Sequence, residues 1–157
     1  MAGEGAHLQP AGEGPTVVAD GPFAGWSTWS GGSDPFETVN GPFYFRNDAG
    51  RVTSAFPPRR EHLNGGGTIH GGALMSFADF TLFAIAHDLL AGERAVTLTF
   101  SSEFIGAGDL SDVIEAHGEV LRATRSVIFV RGLVTQVSRP LLAFSGTLKK
   151  IGELPRG

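Results

Sequence analysis

The sequence predicts an α+β domain in which one long helix lies against an antiparallel sheet. Three observations lead to this expectation. A short hairpin pattern comes first, a long and almost wholly apolar segment follows it, and four strand-like segments separated by turns come last. Strands joined by short turns pair as antiparallel neighbours, and a helix that is apolar on all sides must be covered by other structure. The helix is therefore expected to lie on one face of the sheet.

The first two strands are predicted between residues 41 and 56. Aromatic side chains at Phe43 and Phe45 begin this segment, and the turn sequence Asn47–Gly50 separates them from a second run rich in β-branched and aromatic residues. A turn sequence between two such runs is typical of a β-hairpin. Two consecutive prolines after residue 56 should end it, because proline cannot donate to a strand ladder.

The run from Ala73 to Leu90 predicts a single helix. Apolar residues recur at helical spacing along it, and apolar side chains also fill the other faces. Asp79 lies in this run, with no positively charged residue one helical turn away on either side. Burying an unpaired carboxylate costs on the order of several kcal/mol. Asp79 therefore caps a second helix, pairs with an arginine distant in sequence, or is a reactive carboxylate in a dry pocket.

Four further strands are expected after the helix, at residues 95–105, 113–121, 126–137 and 141–149. The first of them alternates well, since apolar residues at positions 96, 98, 100 and 104 are interleaved with threonine, serine and glutamate. Turn-forming residues separate the four segments. They should pair in the order of the chain, as meanders.

With 157 residues, 41% hydrophobic residues and 12 Phe, the chain is long enough for one domain with a substantial core. We place this domain at residues 41–152, between a partly flexible N-terminal arm at 1–40 and a short tail at 153–157. The arm up to about residue 21 should be flexible or extended. Trp26 and Trp29, which follow, should pack on the domain or line a ligand site.

Composition also limits the partners that the protein can have. The net charge of −4 and the pI near 5.7 argue against a nucleic-acid surface. We expect no apolar run of the chain to be long enough to span a membrane. The absence of cysteine excludes disulfides and thiolate chemistry. We therefore expect a cytoplasmic protein that binds neither nucleic acid nor membranes.

The segment before the helix contains the most specific motif of the chain. It runs from Asn64 through three glycines, Thr68 and Ile69 to His70-Gly71-Gly72. Glycines allow a tight turn and close approach of a ligand to the backbone. A helix that begins at Gly71 presents free N–H groups there, which suit an oxyanion or a polarised carbonyl. Asp79 follows about two turns later.

Taken together, Glu61–Asn64, Gly67, His70–Gly72 and Asp79 resemble the motif of the phenylacetate-pathway (PaaI-like) type of acyl-CoA thioesterase, within the 4-hydroxybenzoyl-CoA thioesterase superfamily. The nine-residue offset from His70 to Asp79 is that of the family, and the similarity covers about residues 42–152. The resemblance implies the hotdog fold, a long central helix wrapped by a curved antiparallel sheet. It also implies hydrolysis of acyl-CoA thioesters to a free acid and CoA, without a cofactor or a metal.

The resemblance further implies roles for four residues. The Gly71 N–H would polarise the thioester carbonyl, and Asp79 from the other subunit of a homodimer or homotetramer would act as general base or nucleophile. Asn64 would orient the carboxylate or the attacking water. His70 would shape the turn or bond near the thioester sulfur.

Substrate contacts are expected from several further positions. Some relatives carry a serine or threonine that holds water at the position of Val96, so here that role falls to the adjacent Thr97 or is absent. Basic residues near two turns either contact the CoA phosphates or are ordinary solvated charges. The acyl pocket beside Asp79 should be apolar, with Met75, Phe80, Phe83 and Phe104 as candidates to line it. The expected substrate-binding residues are Gly72, Met75, Phe83, Val96, Thr97, Arg122, Arg125 and Lys149.

Two other functions, and a metal site formed by histidines, are alternative interpretations of the sequence. Hotdog hydratases and dehydratases pair a histidine with a distant acid, or place an Asp and a His five residues apart, and the offset of nine fits them less well. A non-catalytic acyl-CoA binder would have no need of Asp79. The five histidines lack the spacing of a metal-binding motif, and His87 is expected to be a surface or partner-facing residue near the helix end.

Overall fold

The computed structural model describes residues 14–32 and 34–152. The C-terminal tail predicted at 153–157 and the first thirteen residues of the predicted arm lie outside this range. Strands and helices follow one another in the described part as β1 (Thr16–Val17), β2 (Ser27–Thr28), α1 (Pro35–Asn40), β3 (Tyr44–Asp48), β4 (Arg51–Phe56), a 3₁₀ turn (Arg60–His62), α2 (Gly71–Leu90), β5 (Arg94–Phe104), β6 (Ile114–Ala123), β7 (Val127–Gln136) and β8 (Arg139–Gly152).

The strands form one antiparallel sheet in the order β1-β2-β3-β4-β6-β7-β8-β5. The predicted hairpin is confirmed as β3 and β4, and the four predicted C-terminal strands are confirmed with ends that differ by at most three residues. Their pairing departs from a simple meander, since β5 lies next to β8 and β4 lies next to β6. This order places β5 at an edge of the sheet.

Helix α2 lies against one face of the sheet and forms the centre of the core, which confirms the α+β prediction. It packs against β4, β5, β6, β7 and β8, and its buried residues include Leu74, Phe77 and Leu82. By length and composition it could cross a membrane, contrary to the expectation that no run reaches that length, but half of its most apolar window is buried inside the domain. It is the core helix of the fold.

Glycines on the inner face of the sheet allow this close wrapping. Gly118 in β6 lies opposite Gly132 in β7. A Cβ atom at Gly118 would lie 2.7 Å from Cδ1 of Ile85 in α2, closer than real side chains come. Glycine at this point of a strand lets the helix approach the sheet backbone directly.

Residues 14–32 and 34–40 belong to the same packed structure. Strands β1 and β2 extend the sheet beyond β3. Trp29 stacks on Phe45 with ring centroids 4.9 Å apart and meets Phe80 edge-on at 5.3 Å. The boundary expected at residue 41 therefore does not coincide with a gap in packing, and it stays a prediction.

Candidate active site

A cleft of about 380 Å³ opens beside the C-terminal two-thirds of α2. Residues of α2 at positions 79, 83 and 87 follow one another at four-residue spacing, so their side chains lie on one face of the helix. We call this space the Asp79 cleft. Its walls include Trp29, Asp34, Glu37, Asp79, Phe83, His87, Leu90 and the start of β5.

Asp79 is held in this cleft by a hydrogen bond from β5. The Thr97 hydroxyl donates to Oδ1 of Asp79 over 2.6 Å. Burial raises the pKa of Asp79 above its usual value, the hydrogen bond from Thr97 opposes that rise, and the charge of Asp34 adds to it. Within residues 14–32 and 34–152, no arginine or lysine forms an ion pair with Asp79. A largely buried carboxylate with one hydrogen-bond donor and no cationic partner suits a catalytic role.

The Thr97→Val variant tests this hydrogen bond. Valine has a similar shape but no hydroxyl, and a hydrogen bond to a charged group is worth about 1.5–3 kcal/mol. The acidic limb of kcat/KM should therefore move to higher pH by about one to two units, because the pKa of Asp79 rises when the donor is lost. Thr99→Val is the matched control, since the Thr99 hydroxyl donates to Thr147 instead. Equal pH profiles for the two variants would rule out the role given to Thr97.

The predicted turn before α2 is present and organised by its own side chains. Oδ1 of Asn64 accepts from the backbone N–H groups of Gly66 (2.9 Å) and Thr68 (3.2 Å), and the Asn64 amide donates to the Thr68 hydroxyl. His70 is the N-cap of α2, with Nδ1 accepting from the Gly72 N–H at 2.8 Å. Asn64 and His70 thus fix the position at which the helix begins.

These contacts leave the first N–H group of α2 available to a ligand. Gly71 opens the helix, and its N–H donates to no acceptor within the described residues. The helix dipole makes this end electropositive. Phe104 lies over Gly71, because a Cβ atom at that position would be 2.9 Å from the Phe104 ring.

Gly71 and Asp79 of one chain cannot act on the same carbonyl group. They are eight residues apart on one helix, which corresponds to about 12 Å along its axis. Gly71, Gly72, Asn64 and His70 lie at the N-terminal end of α2, whereas Asp79, Thr97 and Phe83 line or border the Asp79 cleft. The structure therefore divides the predicted catalytic residues into two groups.

The other expected substrate contacts do not line the Asp79 cleft. Met75 is 39% exposed and lies outside the Asp79 cleft, whereas Phe80 is 2% exposed and packs in the core. Lys149 is exposed and lies opposite Val96, because β8 pairs with β5. Arg122 and Arg125 are also exposed, at the turn between β6 and β7. Their contact with phosphates stays a prediction.

The structure adds cleft residues that the sequence did not single out. Asp34 and Glu37 come from the N-terminal segment, where the order Asp34-Pro35 predicts only the start of a helix. Trp29 lines the cleft, which is one of the two roles considered for it. His87 also lines it and lies 6.0 Å from the Trp29 ring, so its position is not simply that of a surface residue.

No metal centre is visible in the part of the chain that the structure describes. There, no three His, Asp or Glu side chains come together in a way that could hold a metal ion. The expectation that the site works without a metal or cofactor stays a prediction.

Comparison with known proteins identifies the family. The sequence model of the thioesterase superfamily matches residues 66–143 of this chain, from the glycine turn into β8. PA0474, an esterase candidate of Pseudomonas aeruginosa, is 31% identical over 116 residues, which cover 73% of this chain and 87% of that protein. The chain belongs to the thioesterase superfamily. This thioesterase is accordingly a thioester hydrolase, as the motif predicted.

Solved structures confirm the fold of the thioesterase. PA5202 of Pseudomonas aeruginosa superposes with a TM-score of 0.67 at 24% identity, covering 75% of this chain and 94% of that one. A Streptococcus pneumoniae thioesterase solved with coenzyme A gives 0.66 at 24% identity, covering 76% and 95%. The Escherichia coli PaaI protein of the phenylacetic acid degradation operon gives 0.64 at 23% identity, covering 76% and 86%. The predicted hotdog fold is confirmed, and the assignment to the PaaI-like type stays a prediction.

Proposed function

We propose that this thioesterase hydrolyses acyl-CoA thioesters at a site made by two copies of the chain. One observation carries the proposal. The carboxylate held by Thr97 and the free N–H of Gly71 belong to one helix but lie about 12 Å apart. A second copy related by a two-fold axis supplies the missing half of each site. The Streptococcus pneumoniae relative solved with coenzyme A supports this substrate class.

The reaction follows from the charges of the two groups. The Gly71 N–H of one subunit polarises the thioester carbonyl and stabilises the oxyanion that forms on addition. Asp79 of the other subunit removes a proton from the attacking water or attacks the carbonyl itself. Asn64 and His70 hold the turn that aims the Gly71 N–H. When water is the nucleophile, collapse of the intermediate releases CoA and the free acid. When Asp79 is the nucleophile, collapse releases CoA and leaves an acyl anhydride on Asp79, which a water molecule then hydrolyses to the free acid.

The edge of the sheet supports the assembly of two copies. Strand β5 is eleven residues long and has β8 as its only neighbour in the described sheet. It exposes apolar side chains along its length, with Val96 43%, Leu98 57% and Phe104 57% exposed. A long apolar edge strand invites pairing with another chain. Pairing of β5 with its copy would bring the two α2 helices side by side.

The acyl specificity gives the direct test of the proposal. Trp29, Phe83 and Leu90 form an apolar wall of the Asp79 cleft, so we expect a preference for aromatic or medium-length aliphatic acyl groups. Each methylene that the cleft holds should add about 0.8 kcal/mol to transition-state binding until the space is full.

The measurement is thiol release from acyl-CoAs of increasing chain length, with phenylacetyl-CoA and benzoyl-CoA beside them. Specificity constants that rise and then level off would agree with the cleft. An optimum at acetyl-CoA or at a charged acyl group would contradict the apolar wall. Absence of thiol release from every acyl-CoA would contradict the proposed function itself.

A further inference from the structure

The Asp79 cleft contains a second carboxyl group that the mechanism above does not use. Glu37 lies in the first turn of α1, where its backbone N–H donates to Oδ1 of Asp34 over 3.0 Å. The Asp34 N–H bonds to the Trp29 carbonyl instead of to Glu37. The Glu37 side chain is therefore free of the capping role that its position would give it, and it turns into the cleft.

The carboxyl group of Glu37 is poorly compensated there. Its Oε2 atom is buried, and no residue of the described chain offers it a hydrogen-bond partner. The described part of the chain also contains no ion pair to Glu37. A buried carboxylate without a donor or a cation is unfavourable, so the group keeps its proton.

Charged and titratable groups reach this space from every element around it. Asp34 precedes α1, Asp79 and His87 come from α2, and Glu93 and Arg94 come from the turn and the start of β5. Glu93 is paired with Lys150 over 3.1 Å. The guanidinium group of Arg59, beyond the end of α1, donates hydrogen bonds to the backbone carbonyls of residues 39 and 41. Within the described residues, Arg94, Lys150 and Arg59 form no ion pair with Glu37.

The hydrogen bonds decide which of the two carboxyl groups carries the charge. Asp79 accepts from Thr97, which favours its ionised form. Glu37 has no such donor, and burial followed by the charges of Asp34 and Asp79 raises the pKa of Glu37 to about 8. As pH rises, Asp79 loses its proton first and Glu37 loses its proton in the mildly alkaline range.

We propose that Glu37 is a positioning residue whose neutral carboxyl group keeps a further negative charge away from Asp79, and whose ionisation disables the site. The inference rests on the proposed function, because it assigns a partner to the catalytic carboxylate. An ionised Glu37 would add a negative charge that repels the hydroxide-like attacking water and the oxyanion that forms from the thioester. No proton from Glu37 enters the reaction, which remains hydrolysis by one water molecule.

The test compares pH profiles of kcat/KM for the wild type and Glu37→Gln, from about pH 5 to about pH 9.5. Glutamine keeps the size of the side chain and a neutral polar group, so activity near pH 7 should stay within about threefold of wild type. The wild type should lose activity above about pH 8, toward tenfold per pH unit for a single ionisation. Glu37→Gln should remain flat across that range.

Glu93→Gln is the matched control, since it removes a carboxylate from the wall of the same cleft. It should keep the alkaline loss of the wild type. Three results would each overturn the role of Glu37. They are loss of the alkaline decline in Glu93→Gln, persistence of that decline in Glu37→Gln, and a wild-type profile that stays flat to about pH 9.5. Absence of activity toward every acyl-CoA would contradict the proposed function. An unexpected pH profile in an active enzyme would contradict only the role given to Glu37.

Thermal unfolding gives a readout that needs no substrate. An unfolded Glu37 ionises near its ordinary pKa of 4.5, whereas the folded protein holds the proton until about pH 8. Folded wild type therefore loses stability as pH rises between those values. The Tm of Glu37→Gln relative to wild type should increase from pH 5 to pH 8, and a pH-independent difference would contradict the retained proton.

Discussion

Asp79→Asn is expected to fold normally and to lose on the order of 10²-fold or more in kcat. The amide has nearly the same shape as the carboxylate, and its oxygen can still accept the hydrogen bond from Thr97. It is, however, a poor base and a poor nucleophile. KM should change little, because the cleft and its apolar wall are preserved. Steady-state hydrolysis of the best acyl-CoA, measured for both proteins at the same pH, gives the comparison.

The stability of the same variant separates chemistry from folding. Burial raises the pKa of Asp79, so the ionised group costs stability at neutral pH and that cost disappears with asparagine. The Tm of Asp79→Asn should equal or exceed that of the wild type at pH 7, with the difference vanishing as pH falls below the unfolded pKa of Asp. Near-wild-type kcat in a folded variant would make Asp79 structural and the mechanism wrong.

Gly71→Pro is expected to remove the other half of the site. Proline has no N–H group, yet it is well tolerated at the first position of a helix, and the extended backbone of His70 (φ −61°, ψ 136°) suits a residue before proline. Losing one oxyanion donor should cost about 10²–10³-fold in kcat. Gly71→Ala is the control, because its Cβ crowds Phe104 in the same way while the N–H remains. Similar losses in both variants would mean that crowding, and not the missing donor, is responsible.

Mixing the two inactive variants tests whether a site is shared between subunits. In a dimer of one Asp79→Asn chain and one Gly71→Pro chain, one site receives both intact residues and the other receives both defects. After unfolding and refolding together, an equal mixture should recover about a quarter of wild-type activity, since half of the dimers are mixed and each has one intact site. Sedimentation should show dimers or larger assemblies throughout. No recovery from mixed dimers would place Gly71 and Asp79 of each site in the same chain.

The sequence was sufficient for the fold and for part of the site because those features depend on local order. The apolar run around Asp79 predicts a core helix, and the glycine turn before His70 predicts where that helix begins. Both are set by residues within a few turns of one another. The family motif then relates Asp79 to Gly71, although it gives no distance between them.

The remaining site residues could not be found in the same way. Thr97 and Val96 alternate in a strand, and a register shift between Thr97 and Thr99 in β5 prevents a simple assignment of faces from the sequence. Glu37 follows Asp34-Pro35 at a spacing that is ordinary for a helix start. Its position near Asp79 depends on how residues distant in sequence pack, and the hydrophobic pattern of the sequence does not predict such contacts.

The position of the N-terminal segment has a consequence for how the properties of this enzyme can diverge. Trp29, Asp34 and Glu37 lie before residue 66, where the match to the superfamily begins, yet they form a wall of the Asp79 cleft. Part of the surroundings of the reactive groups thus comes from outside the stretch that carries those groups. Substitutions in the earlier stretch can shift the working pH or the accepted acyl group while the His70–Asp79 motif stays intact, so two relatives with the same motif can suit different conditions.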